Sequence, residues 1–190
     1  MLLEKEIIDY KDNVNDIEHW VYLKGYYRYT AIIRFLKKKH IECTWDNVTN
    51  YIKYDKRLLI NSFKYIVFLE EMYKATIKRM NHKKSVINMS FRRSYEMYVE
   101  IGEQYDDVDL ETMNKYKEQI ISFRNAVVHN KILLGRRFRE LDLEDLTKNL
   151  IVIIPKSYRE GFIKDILNCS IGLANCNSIF ANLLMIDQGV

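Results

Sequence analysis

The stretch DKRLLINSFKYIVFLEEMYKATIKRM, residues 55–80, decides the fold class. Leu58, Leu59, Ser62, Tyr65, Ile66, Leu69 and Tyr73 recur at three- and four-residue spacing, the interval that gathers side chains on one face of an α-helix. The run stops at the polar NHKK. One proline, Pro155, and six glycines among 190 residues leave long uninterrupted segments, which favours helices over short strands joined by turns. An all-α helical bundle is the expectation.

Working outward, residues 17–38 place Trp20, Leu23, Tyr27, Ala31 and Phe35 at helical intervals, and predict one amphipathic helix with Gly25 inside it. Thr44 is placed to cap a helix over TWDNVTNYIKY, with Asp46 in its first turn. Residues 85–104 read as a further helix with Gly102 near its end, and Asp109 as the N-cap of a long helix over 110–134. That helix carries Met113, Tyr116, Ile120, Phe123 and Val127 on its apolar face. A shorter helix ends at Pro155, and a terminal apolar helix spans about 157–186. Length and core size suit one all-helical domain over 1–190.

Hydrophobic residues make up 48% and charged residues 29% of the chain, the balance of a globular protein without a disordered tail. No signal peptide or bilayer-spanning apolar stretch is evident, so a cytoplasmic protein away from the membrane is expected. Cys43, Cys169 and Cys176 are odd in number and widely spaced, which suggests neither a disulfide framework nor a zinc site. His19, His40 and His82 lack partners at metal-ligand spacing, and Glu70 with Glu71 do not make a two-carboxylate site, so no metal or other cofactor is expected. Thirty basic against 26 acidic residues leave a net charge of +4, which permits a polyanionic partner without requiring one.

The segment FRNAVVHNKILLGRRFRE, 123–140, holds the candidate chemistry. Asn125 and His129 lie four residues apart on one helix face, whereas Arg124 and His129 lie about 140° apart around an ideal helix. Imidazole can take and give a proton near physiological pH, guanidinium can hold two phosphate oxygens, and an amide can orient either. On the plainer reading, His129 interacts with terminal helix carbonyls, and Arg124 and Asn125 form a solvated edge. Lys131, Arg136, Arg137 and Arg139, with Arg92 and Arg93 elsewhere, are candidates for a phosphate-contacting rim or for a solvated charge run. Tyr26, Tyr27 and Tyr29 read as packing groups rather than as base-stacking platforms.

RNAVVH at 124–129 resembles the R-N-x-x-x-H motif of HEPN domains, which are all-helical ribonucleases of bacterial defence and toxin systems. LKGYYRYTAIIRF at 23–35, then TWDNVTNYIKYDKRLLINSF and Glu70-Glu71, is similar to the abortive-infection (Abi-like) HEPN family. That family carries a YYR element, a later aspartate before leucines, and the RNxxxH motif last. The resemblance covers about residues 20–155, in order. Leu59 stands where the family has an arginine, and Asn130-Lys131-Ile132 replace its commoner His-x-Arg.

The resemblance implies a HEPN-type bundle and a metal-independent endoribonuclease acting as a toxin or phage-defence effector. Arg124, Asn125 and His129 would be its catalytic residues. RNA would be the substrate, a homodimer the working form, and an RNA or protein antitoxin a possible partner. A catalytically silent HEPN-fold module that binds RNA or protein is the alternative.

Overall fold

In the computed structural model, which describes residues 2–80, 85–102, 107–176 and 178–180, the stretch 55–80 belongs to one helix of 36 residues, Trp45–Met80. It is the third of eight α-helices among the described residues: α1 Val14–Lys24, α2 Tyr26–Lys38, α3 Trp45–Met80, α4 Phe91–Ile101, α5 Leu110–Lys115, α6 Lys117–Val128, α7 Leu143–Ile153 and α8 Lys156–Leu167. The all-α expectation holds. Beyond these helices lie short 3₁₀ turns and one isolated bridge between Phe138 and Leu141. No helix among the described residues is long and apolar enough to cross a membrane.

α3 forms the axis on which α2, α4, α6 and α8 pack. Its buried stripe runs from Val48 through Tyr51, Asp55, Leu58, Leu59, Ser62, Tyr65, Ile66, Leu69 and Tyr73 to Ile77. The apolar residues of that stripe from Val48 to Tyr73 join one continuous core that extends from Leu3 to Phe180. Tyrosine fills much of it. The Tyr73 ring meets those of Phe91, Tyr95 and Tyr98 on α4, with centroids 6.1, 5.7 and 4.7 Å away, distances at which aromatic edges and faces attract.

The helix boundaries correct the sequence reading in five places. Thr44 does cap α3, its hydroxyl accepting the Asn47 N–H at 3.2 Å. The helix then continues through Asp55 without a break, because no glycine or proline interrupts 45–80. Residues 17–38 are two helices rather than one. Gly25 sits at φ 83°, ψ 140°, a conformation outside the helical region that only glycine adopts without strain. The change of direction lets α2 bury Tyr29, Ile32, Ile33, Phe35 and Leu36. Trp20, Leu23, Tyr26 and Tyr27 remain exposed, so of the three tyrosines read as packing groups only Tyr29 is one.

The helix expected over 110–134 is broken at Tyr116 and ends at Val128. Nothing in the local sequence marks the break at Tyr116. The end is a Schellman turn: Asn130 takes φ 52°, its N–H bonds the Val127 carbonyl at 3.1 Å, and the Lys131 N–H bonds that of Ala126 at 2.9 Å. Ile132, Leu133 and Leu134 then turn inward and are buried. The terminal helix is shorter than 157–186. It stops at Leu167, and the chain turns through Gly172 and Asn175, both at positive φ. Residues 181–186 lie outside the described residues.

The helix predicted over 85–104 starts later, at Phe91, where the Ser90 side chain accepts the Arg93 N–H. Gly102 closes it at φ 68°, and residues 103 and 104 lie outside the described residues. Asp109 caps α5 as expected, its Oδ1 accepting the Thr112 N–H at 2.9 Å. Cys43, Cys169 and Cys176 are all free and buried.

Candidate nucleic-acid interface

α6 buries Ile120, Ile121, Phe123, Ala126 and Val127, and that burial fixes what the helix turns outward. Asn125 and His129 are exposed, and Arg124 lies at the boundary with its side chain 23% exposed. His129 is the C-cap residue of the helix, just before the left-handed Asn130. Its imidazole makes no hydrogen bond to another described residue and is free to meet a ligand.

Arg124 is held firmly. Its Nη2 donates to Glu70 Oε2 at 3.2 Å, while Glu70 Oε1 accepts from Lys74 at 2.7 Å. The guanidinium carbon stands 5.4 Å from the Phe91 ring centroid, within cation–π range. Nη1 reaches Asn125 Oδ1 at 3.4 Å, and the buried Nε has no partner. Arg124 therefore meets Asn125 directly, and Glu70 orients it.

Asn125 lines an open cleft of about 340 Å³ together with Arg92, Glu118, Lys131, Arg136 and Arg139. Four of the six residues read as rim candidates, Arg92, Lys131, Arg136 and Arg139, thus meet beside Asn125. Arg137 does not join them. It donates to the Glu140 carbonyl at 2.8 Å and faces a separate recess with Lys38 and Lys39. Glu118 tempers the cleft by pairing with Arg92 at 2.9 Å and Arg139 at 3.3 Å. The hydrogen bond from Arg92 holds its carboxyl below the usual range. Four cations against one carboxylate among the described residues leave the cleft electropositive, and Arg136 Nε donates to the Ile132 carbonyl at 3.0 Å.

Behind this surface lies a network that the site assignment from sequence left out. Asp55, fully buried on the α3 stripe, accepts the N–H groups of Leu133 and Leu134 on Oδ1 at 2.8 and 2.9 Å. Its Oδ2 stands 3.8 Å from Arg28 Nη1. Arg28 Nη2 donates to the Asn130 carbonyl at 3.2 Å, and Lys56 Nζ to Asn130 Oδ1 at 3.1 Å. The turn after His129 is thereby tied to α2 and α3. Burial pushes the Asp55 carboxyl above its ordinary pKa, against the opposing pull of the Leu134 and Leu133 amides and of Arg28. A carboxylate in the middle of an apolar stripe is a signal that a sequence does show, since such a group is buried only when partnered.

Among the described residues no three His, Cys, Asp or Glu side chains gather closely enough to hold a metal ion. Comparison of the chain with protein-family models, with curated proteins and with solved structures finds no match.

Proposed function

We propose that this protein is a metal-independent endoribonuclease of the HEPN type, acting as a toxin or abortive-infection effector. The observation that carries the reading is an unpartnered, exposed His129 at the end of α6, one residue before a turn flanked by cationic clefts. The convergence of Arg28, Asp55 and the turn after His129 adds support, since the YYR element, the aspartate and the RNxxxH motif lie far apart in sequence.

The chemistry follows from the residue types. His129 takes the proton of a ribose 2′-hydroxyl, the oxygen attacks the adjacent phosphorus, and the bond to the 5′-oxygen breaks. Arg124, kept in place by Glu70, stabilises the charge that grows on the phosphate oxygens, and Asn125 orients the phosphate. The leaving oxygen needs a proton as it departs. His129 of the partner subunit in a homodimer supplies it, because one imidazole cannot serve as base and acid in the same step. The products are a 2′,3′-cyclic phosphate and a 5′-hydroxyl. A toxin of this kind requires restraint, and an RNA or protein antitoxin is the partner that supplies it.

Light scattering at assay concentration should find a dimer; a monomer that cuts RNA at full rate refutes the shared site. Overexpression should arrest growth for the wild type and not for Arg124→Ala or His129→Ala at equal soluble yield. Full toxicity in either variant removes the role given to that residue. The engagement of Arg124 by Glu70 and Phe91 favours a second reading, a catalytically silent module that binds RNA or protein. Incubation of labelled RNA in EDTA separates the two: a cut by the wild type and none by His129→Ala supports the enzyme, whereas binding without a cut supports the module.

A further inference from the structure

A second cleft, of about 520 Å³, opens between the α1–α2 junction and α3, and is lined by Lys24, Arg28, Lys53, Lys56, Arg57 and Asn130. Several lysines and arginines elsewhere on the surface find carboxylates, as Lys64 does with Asp165, Lys117 with Glu96 and Arg92 with Glu118. Here no carboxylate among the described residues lines the cleft, and Arg28 alone of its cations has one behind it among them, the buried Asp55 at 3.8 Å. Lys56 rests on the Asn130 side-chain oxygen, and Arg57 on the Cys169 and Ile171 carbonyls at 3.2 and 2.7 Å. Lys24 lies 4.3 Å from the centre of the Trp20 ring, and Lys53 has no partner among the described residues. Four cations are left without a countercharge in one concavity, an arrangement that repels itself and is relieved by a bound polyanion.

The position of the cleft indicates which polyanion. Asn130 forms part of its wall, whereas the next residue, Lys131, lines the cleft that holds Asn125, Arg136 and Arg139. The turn that follows His129 is therefore the divide between two cationic clefts. Arg28 and Lys56 clamp Asn130 and fix that divide. A phosphodiester strand crossing His129 has phosphates to place on both sides of it, and both sides hold cations.

We propose that the second cleft binds the phosphate backbone of the RNA strand on one side of the linkage held over His129, with Lys24, Lys53, Lys56 and Arg57 as its contacts. The first cleft takes the other side. The assignment rests on the endoribonuclease reading for its register, and on the uncompensated charge for its ligand class.

The test uses Lys24→Gln/Lys53→Gln, since both side chains are exposed and neither hydrogen-bonds another described residue. A control pair, Lys11→Gln/Lys164→Gln, removes the same charge from exposed sites elsewhere. Both are placed in the His129→Ala chain, so that a labelled single-stranded RNA is bound and not cut, and affinity is followed across a salt series. The cleft pair should weaken binding about tenfold and lower the slope of log affinity against log salt by roughly 1.4, two contacts at about 0.7 each. The control pair should change neither appreciably.

A cleft pair that behaves like the control overturns the proposal, and leaves the endoribonuclease standing if the chain with His129 intact still cuts. The expected slope change, with the RNA left uncut by the chain in which His129 is intact, keeps the binding cleft and removes the enzyme. Inorganic tripolyphosphate supplies the last arm: saturable binding of it, with no binding of RNA, makes the cleft a small-ligand site and overturns the strand.

Discussion

Asp55→Ala lowers the unfolding free energy by about 3–5 kcal/mol, as read from urea denaturation, the scale expected when one partner of a buried charged pair is removed. The substitution takes away more than a charge. The Leu133 and Leu134 N–H groups, both buried and both bonded to Asp55 Oδ1, lose that acceptor, and Arg28 loses the carboxylate that faces it. Ile132, Leu133 and Leu134 belong to the core, so the loss spreads into the packing around them. Asp55→Asn keeps an oxygen for the two amides and gives up the charge, and costs less, about 1–3 kcal/mol.

The difference between wild type and Asp55→Asn depends on pH in a direction that burial sets. The Asp55 carboxyl binds its proton more tightly in the folded protein than in the unfolded chain. Its contribution to stability is therefore fullest below the ordinary carboxylate pKa of about 3.9 and is lost as pH rises through the raised value. The gap between the two proteins narrows from acid towards neutral pH. A gap that widens over that interval means that Arg28 and the two amides outweigh burial.

On the proposed function, His129→Ala should lower the rate of RNA cleavage by about 10²–10⁴-fold, the usual worth of a positioned general acid or base, while the melting temperature should stay near that of the wild type. The second half follows from exposure: the side chain holds nothing else in place. Arg124→Ala lowers the rate by about 10²–10³-fold, as the loss of an oxyanion-stabilising donor does, and also shifts stability, because Glu70 and Phe91 lose a neighbour. Asn125→Ala costs less than either, since it orients groups without transferring a proton. Equal rates for wild type and His129→Ala at saturating RNA contradict the assignment of the base. A fall in affinity alone, with the rate at saturation unchanged, makes His129 a binding residue.

The helical architecture was legible because α3 advertises its period over 36 residues without a glycine or proline. Boundaries were less so, for reasons that lie outside the local pattern. Gly25 reads as a tolerated interruption until its φ of 83° is known. The end of α6 depends on Asn130 in the left-handed region and on three apolar residues that read as a continuing helix but serve as a buried loop anchored by Asp55. Of the expected rim, Arg136 and Arg139 meet beside Asn125, while Arg137 points elsewhere because the chain turns between them, Arg139 itself taking φ 58°.

The second basic cleft was invisible for a different reason. Lys53, Lys56 and Arg57 share a helix face by their spacing, whereas Lys24 and Arg28 lie on two helices separated by Gly25. That the two groups line one cleft, with Asn130 of the turn after His129 in its wall, is a fact of tertiary structure.

Mapping the ends of a cut RNA tests the central claim most directly, using one oligonucleotide in EDTA and a matched copy with a single 2′-deoxy sugar at the cleaved position. The wild type is expected to leave a 2′,3′-cyclic phosphate on the upstream fragment and a 5′-hydroxyl on the downstream one, to spare the deoxy copy at that position, and to lose the cut in His129→Ala. Cleavage of the deoxy linkage, a 5′-phosphate on the downstream fragment, or an undiminished cut by His129→Ala would contradict the account.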